Sequence, residues 1–355
     1  MSKTPYIRNE GDSSEVNIKI SLKNYLLKLD NNKYVRKGSD NIRLYGLGYI
    51  IKTIYVDIKK YKKIRELEED RKRDHQTYSN WISDKTGISI NELYELCKYW
   101  KKTCKKSNED LKTIWERIYK GSNYFGCTNG KKIRLPKFID YKLCYLIGVM
   151  LGDGHLADPN KSYDNKTSYN SEIRITDGYK GTFILLRQFF RDLFDYYPNI
   201  YSELSKTGRR FYRIVVRSKP IHRYLMTICN VPTGNKIDKV DIPKIIKILP
   251  LKLQKWFING FFDSDGCARL AKSKYPEISI SQKKVKILNS IIKFSKNVGV
   301  NWNGPYKTDS GRNHGYVIRI SNIKHVEKFL NVFSSLNPMK IKDRGILWQE
   351  IEHLK

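Results

Sequence analysis

One nine-residue pattern, apolar for most of its length and ending in Asp-Gly, occurs twice in the chain, as Leu146–Gly154 and Ile258–Gly266. In both copies small residues stand four positions apart, so they lie on one face of a helix and let a second backbone approach closely. The pattern therefore predicts two apolar helices that pack against each other through this face. The small residues predicted at this helix seam are Gly148, Gly152, Gly260 and Ser264.

Each copy of the pattern carries an aspartate near its end, Asp153 in the first copy and Asp265 in the second. If the two helices pack through their small residues, both carboxylates reach the same end of the helix pair. Two carboxylates held together need a divalent cation to offset their charge. The repeat therefore predicts a metal-binding pair of aspartates.

The two segments resemble the LAGLIDADG, or DOD-type, motif of homing endonucleases, in the form in which a single chain carries both motifs. The lead-in that such proteins show before each motif helix is also repeated, as Leu135–Ile139 and Ile242–Ile246. A single motif would be weak, because apolar helices with small residues are common and Asp-Gly is an ordinary turn. Two motifs with the same lead-in make the resemblance specific, and it covers roughly residues 133–345.

The elements predicted from each motif onward follow one order, which is helix, two strands, helix, two strands, helix. Hairpin turns are expected at Gly208 and Gly311, before the last strand of each half. We therefore predict an α+β fold, with a pseudo-twofold pair of mixed α/β half-domains of the αββαββα type after a mainly helical N-terminal extension. The predicted boundaries are 1–130 for the extension, 131–241 for the first half and 242–355 for the second.

The strands alternate apolar residues with polar or basic ones, which places one set on the helices and the other set outward. The resemblance implies that each sheet forms half of a saddle over a DNA duplex. A surface of donors and cations can read base edges in the major groove. The outward residues predicted to contact DNA are Arg174, Thr176, Arg213, Arg217, Ser279, Ser281 and Arg319.

The resemblance implies hydrolysis of phosphodiester bonds with a divalent metal. Asp153 and Asp265 would bind the ions, together with the backbone carbonyls of Gly152 and Ser264. Carboxylate, carbonyl and water oxygens are the ligands that magnesium prefers, so we expect Mg²⁺, with Mn²⁺ tolerated. His155 follows the first Asp-Gly but has no counterpart in the second copy, and we interpret it as a DNA-facing or packing residue.

Enzymes of this family also use a basic residue in each half, where it orients water or stabilises charge on the phosphate. Related enzymes place a lysine before the Ile-Pro lead-in, where Lys236 and Lys239 stand, and the equivalent place at the end of the second half is Lys340–Lys342. Lys239 and Lys340 are the preferred candidates. Three other lysines are weaker catalytic candidates. They are Lys236, Lys342 and Lys283, the last of which follows Gln282 after a strand of the second half.

The charge of the chain predicts a polyanionic partner. Lysine and arginine number 68 against 36 aspartates and glutamates, a formal net charge of +32. An excess of that size is hard to explain by solubility alone and points to nucleic acid. We expect a monomer that binds double-stranded DNA at a long, partly asymmetric target site, or RNA if the protein is a maturase.

The cysteines and the apolar segments indicate in which cellular compartment the protein is expected. The six cysteines form no CxxC pair and have no histidines at zinc-ligand spacing, so they are interpreted as reduced thiols of an intracellular protein. The sequence contains no run of eighteen apolar residues, and its start lacks an apolar signal region. A cytoplasmic location is expected, with an organellar matrix as the alternative.

The N-terminal extension lies outside the repeat and contains two notable segments. Trp81–Leu96 has the pattern of a short helix, a glycine turn and a second helix that begins near Ser89, as in a helix-turn-helix. The strongly charged stretch Lys59–Arg73 is expected to be an exposed helix or linker. Both segments could bind DNA, and the residues from about Lys131 onward are expected to fold without them.

Three functions compete at this point. The first is a site-specific homing endonuclease that cuts both DNA strands, and the second is an RNA-splicing maturase or a DNA-binding regulator on the same scaffold. Such relatives often lose a motif acid or the close helix packing, and both are present here, which favours the nuclease. The third is an intein, which is disfavoured because the chain starts with Met1 rather than Cys or Ser and lacks a terminal His-Asn.

Overall fold

The protein, described here by a computed structural model, has an α+β fold. A mainly helical N-terminal region precedes two units of similar topology, each built around a four-stranded antiparallel sheet. No helix in the part of the chain that the structure describes is long and apolar enough to cross a membrane. The described residues are 18–20, 42–127, 130–159, 171–271, 275–310 and 313–354.

The N-terminal region contains five helices and four short strands among its described residues. The central strand β2 pairs with β3 on one side and β4 on the other. The elements are β1 (Ile18–Lys19), β2 (Arg43–Tyr45), α1 (Gly48–Lys59), α2 (Ile64–Arg71), α3 (His75–Ile82), β3 (Ile88–Ser89), α4 (Ile90–Thr103), α5 (Asn108–Gly121) and β4 (Tyr124–Gly126).

Helices α3 and α4 occupy the segment in which a helix-turn-helix was predicted. The second helix begins where expected, because the Ser89 side chain caps it by accepting a hydrogen bond from the backbone N–H of Glu92. Between the helices, however, β3 pairs Ile88 with Leu44 of β2. The two helices are thus joined through a sheet, and the short turn of a helix-turn-helix is absent from this described segment.

The charged stretch Lys59–Arg73 contains α2, and many of its charges are paired within the protein. The ion pairs join Lys62 to Asp70, Arg65 to Glu69, and both Arg71 and Arg73 to Glu92. Basic groups that are already neutralised have less charge to offer a phosphate. This finding weakens the expectation that the stretch binds DNA.

The N-terminal region packs directly on the first half. Strand β1 pairs with β5 (Phe138–Ile139), and the Tyr119 hydroxyl bonds to the backbone carbonyl of Lys137 at 3.1 Å. Phe125 and Ile133 are both buried and exchange two backbone hydrogen bonds of 2.8 Å. Removing the chain before residue 131 would leave Ile133 and β5 without these partners. The expectation that the two halves fold unaided is therefore not supported by the packing.

The first half follows the predicted αββαββα order. Its sheet has the strand order β6-β7-β9-β8, and Gly208, at φ +75°, lies in the hairpin turn between β8 and β9. The elements are α6 (Tyr141–Leu151), β6 (Gly154–Leu156), β7 (Glu172–Asp177), α7 (Lys180–Phe194), β8 (Ile200–Leu204), β9 (Arg210–Arg217) and α8 (Lys219–Arg223), which continues as a π-helix over Tyr224–Ile228.

The second half repeats this order and adds a C-terminal helix. Its sheet has the matching strand order β10-β11-β13-β12, while Gly311 lies outside the described residues. The elements are α9 (Lys244–Lys247), α10 (Leu251–Asp265), β10 (Gly266–Leu270), β11 (Pro276–Gln282), α11 (Val285–Lys296), β12 (Asn303–Ser310), β13 (Asn313–Ile320), α12 (Ile323–Val332) and α13 (Pro338–Leu354).

The two sheets have the same register, which makes residues of the halves comparable one by one. Gly154 of β6 pairs with Ile175 of β7, and Gly266 of β10 pairs with Ile280 of β11. The apolar residues of these strands face the helices and are buried, as the alternation predicted. The opposite face carries Arg174, Thr176, Arg213, Arg217, Ser279, Ser281 and Arg319, of which only Ser279 is buried.

Candidate active site

Helices α6 and α10 touch through their backbones. A Cβ atom added at Gly148 would overlap the carbonyl oxygen of Phe257 and lie 2.7 Å from the Phe261 nitrogen, while one added at Gly260 would overlap the carbonyl oxygen of Tyr145. A Cβ at Gly152 would collide with the side chain of Ser264. All four small residues of the predicted seam therefore lie at the contact, and a side chain added at any of its three glycines would collide with the other helix.

The seam brings Asp153 and Asp265 together at the end of the helix pair. Helix α6 ends at Leu151, just before Asp153, and α10 ends on Asp265 itself. Burial raises the pKa of Asp153 to about 7, and the negative charges of Asp265 and Asp177 add to this effect. Burial also raises the pKa of Asp265 to about 6, although Lys236, Gln282 and Lys340 favour its charged form. The two carboxylates are thus costly to ionise in the absence of a cation.

The donor set of this site fits a hard divalent cation. It consists of two carboxylates with backbone carbonyl oxygens beside them, the oxygen ligands that Mg²⁺ and Mn²⁺ accept. Within the described ranges no cluster of three or more His, Cys, Asp or Glu could hold a metal, and all six cysteines are free. The two aspartate side chains offer oxygen donors, which suit Mg²⁺ or Mn²⁺.

Lys236 lies against the end of the first motif helix. Its Nζ donates to the carbonyl oxygens of Met150 at 3.2 Å, of Gly154 at 2.6 Å and of Gly152. Burial lowers the pKa of Lys236 to about 8, and the charges of Asp265 and Asp153 partly offset that effect. This lysine thus carries a positive charge beside the aspartates and occupies one lone pair of the Gly152 carbonyl, which was predicted to bind metal.

Lys340 takes the same place in the second half. Its Nζ donates to the carbonyl oxygen of Gly266, which corresponds to Gly154 in the register of the sheets. The positive charge of Lys340 also favours the ionised forms of Asp153 and Asp265. Each half therefore contributes one lysine that contacts the glycine following the motif aspartate.

The sequence ranking of the lysines needs correction. Lys239 is exposed, and its Nζ bonds instead to the carbonyl oxygen of Thr233 at 3.3 Å. A turn in which the Lys239 N–H bonds to the Lys236 carbonyl separates the two side chains, so Lys236 alone reaches the motif. Lys342 and Lys283 are also exposed. Nothing in the sequence distinguished Lys236 from Lys239, because the separation arises from this turn.

Gln282 and Asp177 occupy matching positions but differ in chemistry. The amide Nε2 of Gln282 donates to Oδ2 of Asp265 at 2.5 Å. Asp177 stands two residues after Ile175, as Gln282 stands two after Ile280, and its negative charge raises the pKa of Asp153. The two halves of the site are therefore unequal, with an additional carboxylate on the Asp153 side.

Asp263 is a buried residue of the motif helix that the sequence did not single out. It accepts hydrogen bonds from the Tyr145 hydroxyl at 2.7 Å and from the backbone N–H groups of Leu336 and Asn337 at 2.8 and 3.0 Å. These bonds join both motif helices to the segment that leads into α13. Because α13 carries Lys340, Asp263 supports the position of that lysine.

His155 lies on the outward face of the first sheet, opposite Arg174 of β7. It is half-buried, and burial together with the positive charges of Arg174 and Lys236 lowers its pKa below the usual range. At neutral pH the imidazole is therefore mainly neutral. The sequence interpretation of His155 as a DNA-facing or packing residue stays a prediction.

Comparison with known proteins identifies relatives of part of this chain. Residues 252–333 match the family model described as LAGLIDADG-like domain. The homing endonuclease I-ApeI of Aeropyrum pernix is 26% identical over 136 residues, which make up 38% of this chain and 60% of that protein. A probable translation initiation factor IF-2 of Methanocaldococcus jannaschii is 26% identical over 168 residues, or 45% of this chain and 12% of that protein. The matched region spans less than two thirds of either relative.

Solved structures resemble a little over half of the chain. I-DmoI in complex with DNA and manganese aligns with a TM-score of 0.39 at 20% identity, over 55% of this chain and 97% of that one. The N-terminal LAGLIDADG domain of DUF199/WhiA aligns with a TM-score of 0.37 at 15% identity, over 57% of this chain and 86% of that one.

Proposed function

We propose, from the similarity of part of this chain to the LAGLIDADG-like domain and to a homing endonuclease and from its aspartate pair, that the protein is a site-specific endonuclease that hydrolyses both strands of double-stranded DNA. The observation that carries the proposal is the meeting of Asp153 and Asp265 at the end of two helices in backbone contact. A pair of carboxylates with raised pKa values weakens the metal-free fold at neutral pH. A bound divalent cation would remove that cost, which favours a metal-dependent activity.

The metal would be held by the side chains of Asp153 and Asp265, with the carbonyl oxygens of Gly152 and Ser264 as further ligands. When bound, Mg²⁺ or Mn²⁺ supplies positive charge for the phosphate and lowers the pKa of a water ligand. Both aspartates must be ionised to act as ligands. Metal affinity is therefore expected to fall as the pH drops through about 7 and then about 6, the pKa values of Asp153 and Asp265.

Lys236 and Lys340 would stabilise the negative charge that develops on the phosphate during hydrolysis. Each is partly buried beside one motif, so its charge acts in surroundings of lower dielectric than water. The pKa of Lys236, about 8, leaves this lysine mostly protonated at neutral pH and able to donate hydrogen bonds. Because each half contributes one lysine, one lysine would be available for each of the two DNA strands that a double-strand cut requires.

The DNA would lie across the outward faces of the two sheets. The net charge of +32 provides attraction to phosphates, and the outward arginines provide donors for base edges. Because both halves belong to one chain, a monomer can bind both half-sites of a long target. Unequal residues in the two halves, such as Asp177 against Gln282, favour a target that is only partly symmetric.

The experiment that tests this proposal is selection from a randomised duplex library. The full chain is incubated with the library and Mg²⁺, and the ends of cleaved molecules are sequenced, with Asp153→Asn as the matched inactive control. We expect both strands to be cut at one long site by the wild type alone. Specific enrichment of a bound duplex that is never cut would favour a DNA-binding regulator instead, and specific binding of structured RNA alone would favour a maturase.

A further inference from the structure

Two glutamates occupy equivalent positions on the outward faces of the two sheets. Glu172 lies three residues before Ile175 in β7, and Glu277 lies three residues before Ile280 in β11, so the matching register superimposes them. Their side chains are only 16% and 10% exposed. A carboxylate that is so covered on a polar surface must have charged or hydrogen-bonding partners.

In the first half both oxygens of the Glu172 carboxylate are engaged by arginines. Arg174 of the same strand donates from Nη2 to Oε1 at 2.5 Å, and Arg217 of β9 donates from Nε to Oε2 at 3.3 Å. The two arginine side chains are 43% and 53% exposed. Their charged ends are therefore held on one side and open to solvent on the other.

In the second half Glu277 also holds two arginines. Arg269 of β10 donates from Nε at 3.1 Å and from Nη2 at 2.9 Å to Oε1, and Nη1 of Arg319 in β13 lies 3.8 Å from Oε2. These side chains are 57% and 45% exposed. Each glutamate thus holds two half-exposed guanidinium groups, and each group of three carries one net positive charge.

The arrangement is poorly explained by stability. Half-exposed ion pairs contribute little to folding, and a covered carboxylate loses hydration that the pairing must replace. A guanidinium has five N–H donors, so Arg174 and Arg269, which use one and two of them on their glutamates, have further donors for a ligand. An arginine already held in one conformation also loses less freedom when it binds that ligand.

We propose that Glu172 and Glu277 are positioning residues that hold their arginines for bidentate donation to guanine bases in the major groove. Arginine donating to the O6 and N7 acceptors of guanine is the commonest base-specific contact, and it needs a fixed guanidinium plane. The inference rests on the proposed function only in that a DNA duplex occupies the sheet faces. It does not require that the duplex be cut.

The arginines themselves are not equivalent between the halves, although the glutamates are. In the shared register, Ser279 stands where the first half has Arg174, and Val215 stands where the second half has Arg319. The two glutamates, called anchors below, therefore stand at equivalent positions but hold their guanidinium groups at different places on the two sheet faces. Guanine preference is expected at positions of the two half-sites that a twofold axis does not relate.

The test compares base preference in three full-length variants. Glu172→Gln and Glu277→Gln remove the two anchors. Glu203→Gln removes a glutamate from the same face of the first sheet, where its side chain is 39% exposed and pairs with Arg213. All three variants lose one negative charge, so a general gain in DNA affinity is common to them. Duplexes bound in Ca²⁺ are selected from a randomised library and sequenced, and thermal unfolding of each variant is measured.

Glu172→Gln should lower guanine preference about tenfold or more in the first half-site alone, and Glu277→Gln should do so in the second alone. Glu203→Gln should leave both of these guanine preferences in place. Unchanged preference in both anchor variants, or an equal loss in all three, would overturn the inference. If an anchor variant fails to fold, Arg174→Lys and Arg269→Lys keep the charge without the planar fork, and unchanged guanine preference in both would overturn it equally.

Selection also separates this inference from the proposed nuclease activity. A wild-type protein that shows the guanine preferences but cuts no duplex contradicts the nuclease and leaves the anchors supported. The opposite outcome is that the wild type cuts one site and both anchor variants cut it with unchanged base preference. That result would support the nuclease activity and contradict the role proposed for Glu172 and Glu277.

Discussion

Lys236 and Lys340 occupy matching places in the two halves, since each donates a hydrogen bond to the carbonyl of the glycine that follows a motif aspartate. Neither lysine belongs to the nine-residue repeat. Both come from segments far along the chain from the motif that they contact, Lys236 from the connection between the halves and Lys340 from α13. The pairing makes these two lysines the principal basic residues of the candidate site.

Replacing either lysine by methionine should reduce cleavage about 100-fold or more while leaving specific DNA binding within a few-fold of the wild type. Methionine keeps much of the apolar stem but loses the charge that would stabilise the transition state. Single-turnover cleavage and equilibrium binding in Ca²⁺ measure the two effects separately. Lys239→Met and Lys342→Met are the matched controls, because both residues are exposed close by in sequence. An equal loss in the controls would contradict the assignment.

Asp153→Asn or Asp265→Asn should nearly abolish double-strand cleavage and leave specific binding largely intact. Each substitution removes negative charge needed for the metal but changes the side-chain volume little. Calcium should support binding without cutting in the wild type, because its larger and looser coordination suits hydrolysis poorly. Gel assays of cleavage in Mg²⁺ and of binding in Ca²⁺ test both expectations. Full cleavage by either variant would show that the active site lies elsewhere.

The stability of the metal-free protein should depend on pH through Asp153. Its pKa of about 7 in the folded protein lies above the ordinary value of 3.8, so between these two values the folded state binds more protons than the unfolded state. The contribution of Asp153 to the free energy of unfolding therefore falls as pH rises through this window. Asp153→Asn removes that dependence. The melting temperature of this variant should therefore rise relative to that of the wild type as the pH increases from about 4 to 7.

Two further measurements sharpen the pH prediction. Asp177→Gln removes one of the charges that raise the pKa of Asp153, so it should show a weaker pH dependence than the wild type. Added Mg²⁺ at pH 8 should raise the melting temperature of the wild type and have little effect on Asp153→Asn, because a ligand of the folded state stabilises it. A difference between Asp153→Asn and wild type that stays constant with pH would contradict the raised pKa.

Gly148→Ala should destabilise the protein by about 1–3 kcal/mol or more, because its Cβ would overlap the backbone of α10. The control is Gly345→Ala in α13, where an added Cβ meets nothing within 4 Å. Alanine there should stabilise the helix by about 0.5–1 kcal/mol relative to glycine. Chemical denaturation measures both changes. Similar effects of the two substitutions would show that the seam tolerates separation.

The sequence determined those features that depend on local pattern and on repetition. Small residues four apart and the strand alternation led to the two motif helices, the αββαββα order and the α+β fold that the structure has. Local rules suffice for such features, because helix and strand periodicity decide which face of an element is buried. The start of α4 at Ile90, after the Ser89 cap, was likewise read from neighbouring residues.

The tertiary structure alone decided which residues gather around the aspartates and how the charged residues of the sheet faces pair with one another. Lys236 rather than Lys239, the buried Asp263 and the strand between α3 and α4 depend on partners distant in sequence. Each of the two arginine-holding glutamates also has one distant partner, Arg217 for Glu172 and Arg319 for Glu277. A turn of a few residues separates Lys236 from Lys239, and the register of paired strands brings Arg217 to Glu172. Composition and periodicity do not encode such contacts, because they are set by how whole elements pack and pair across the folded chain.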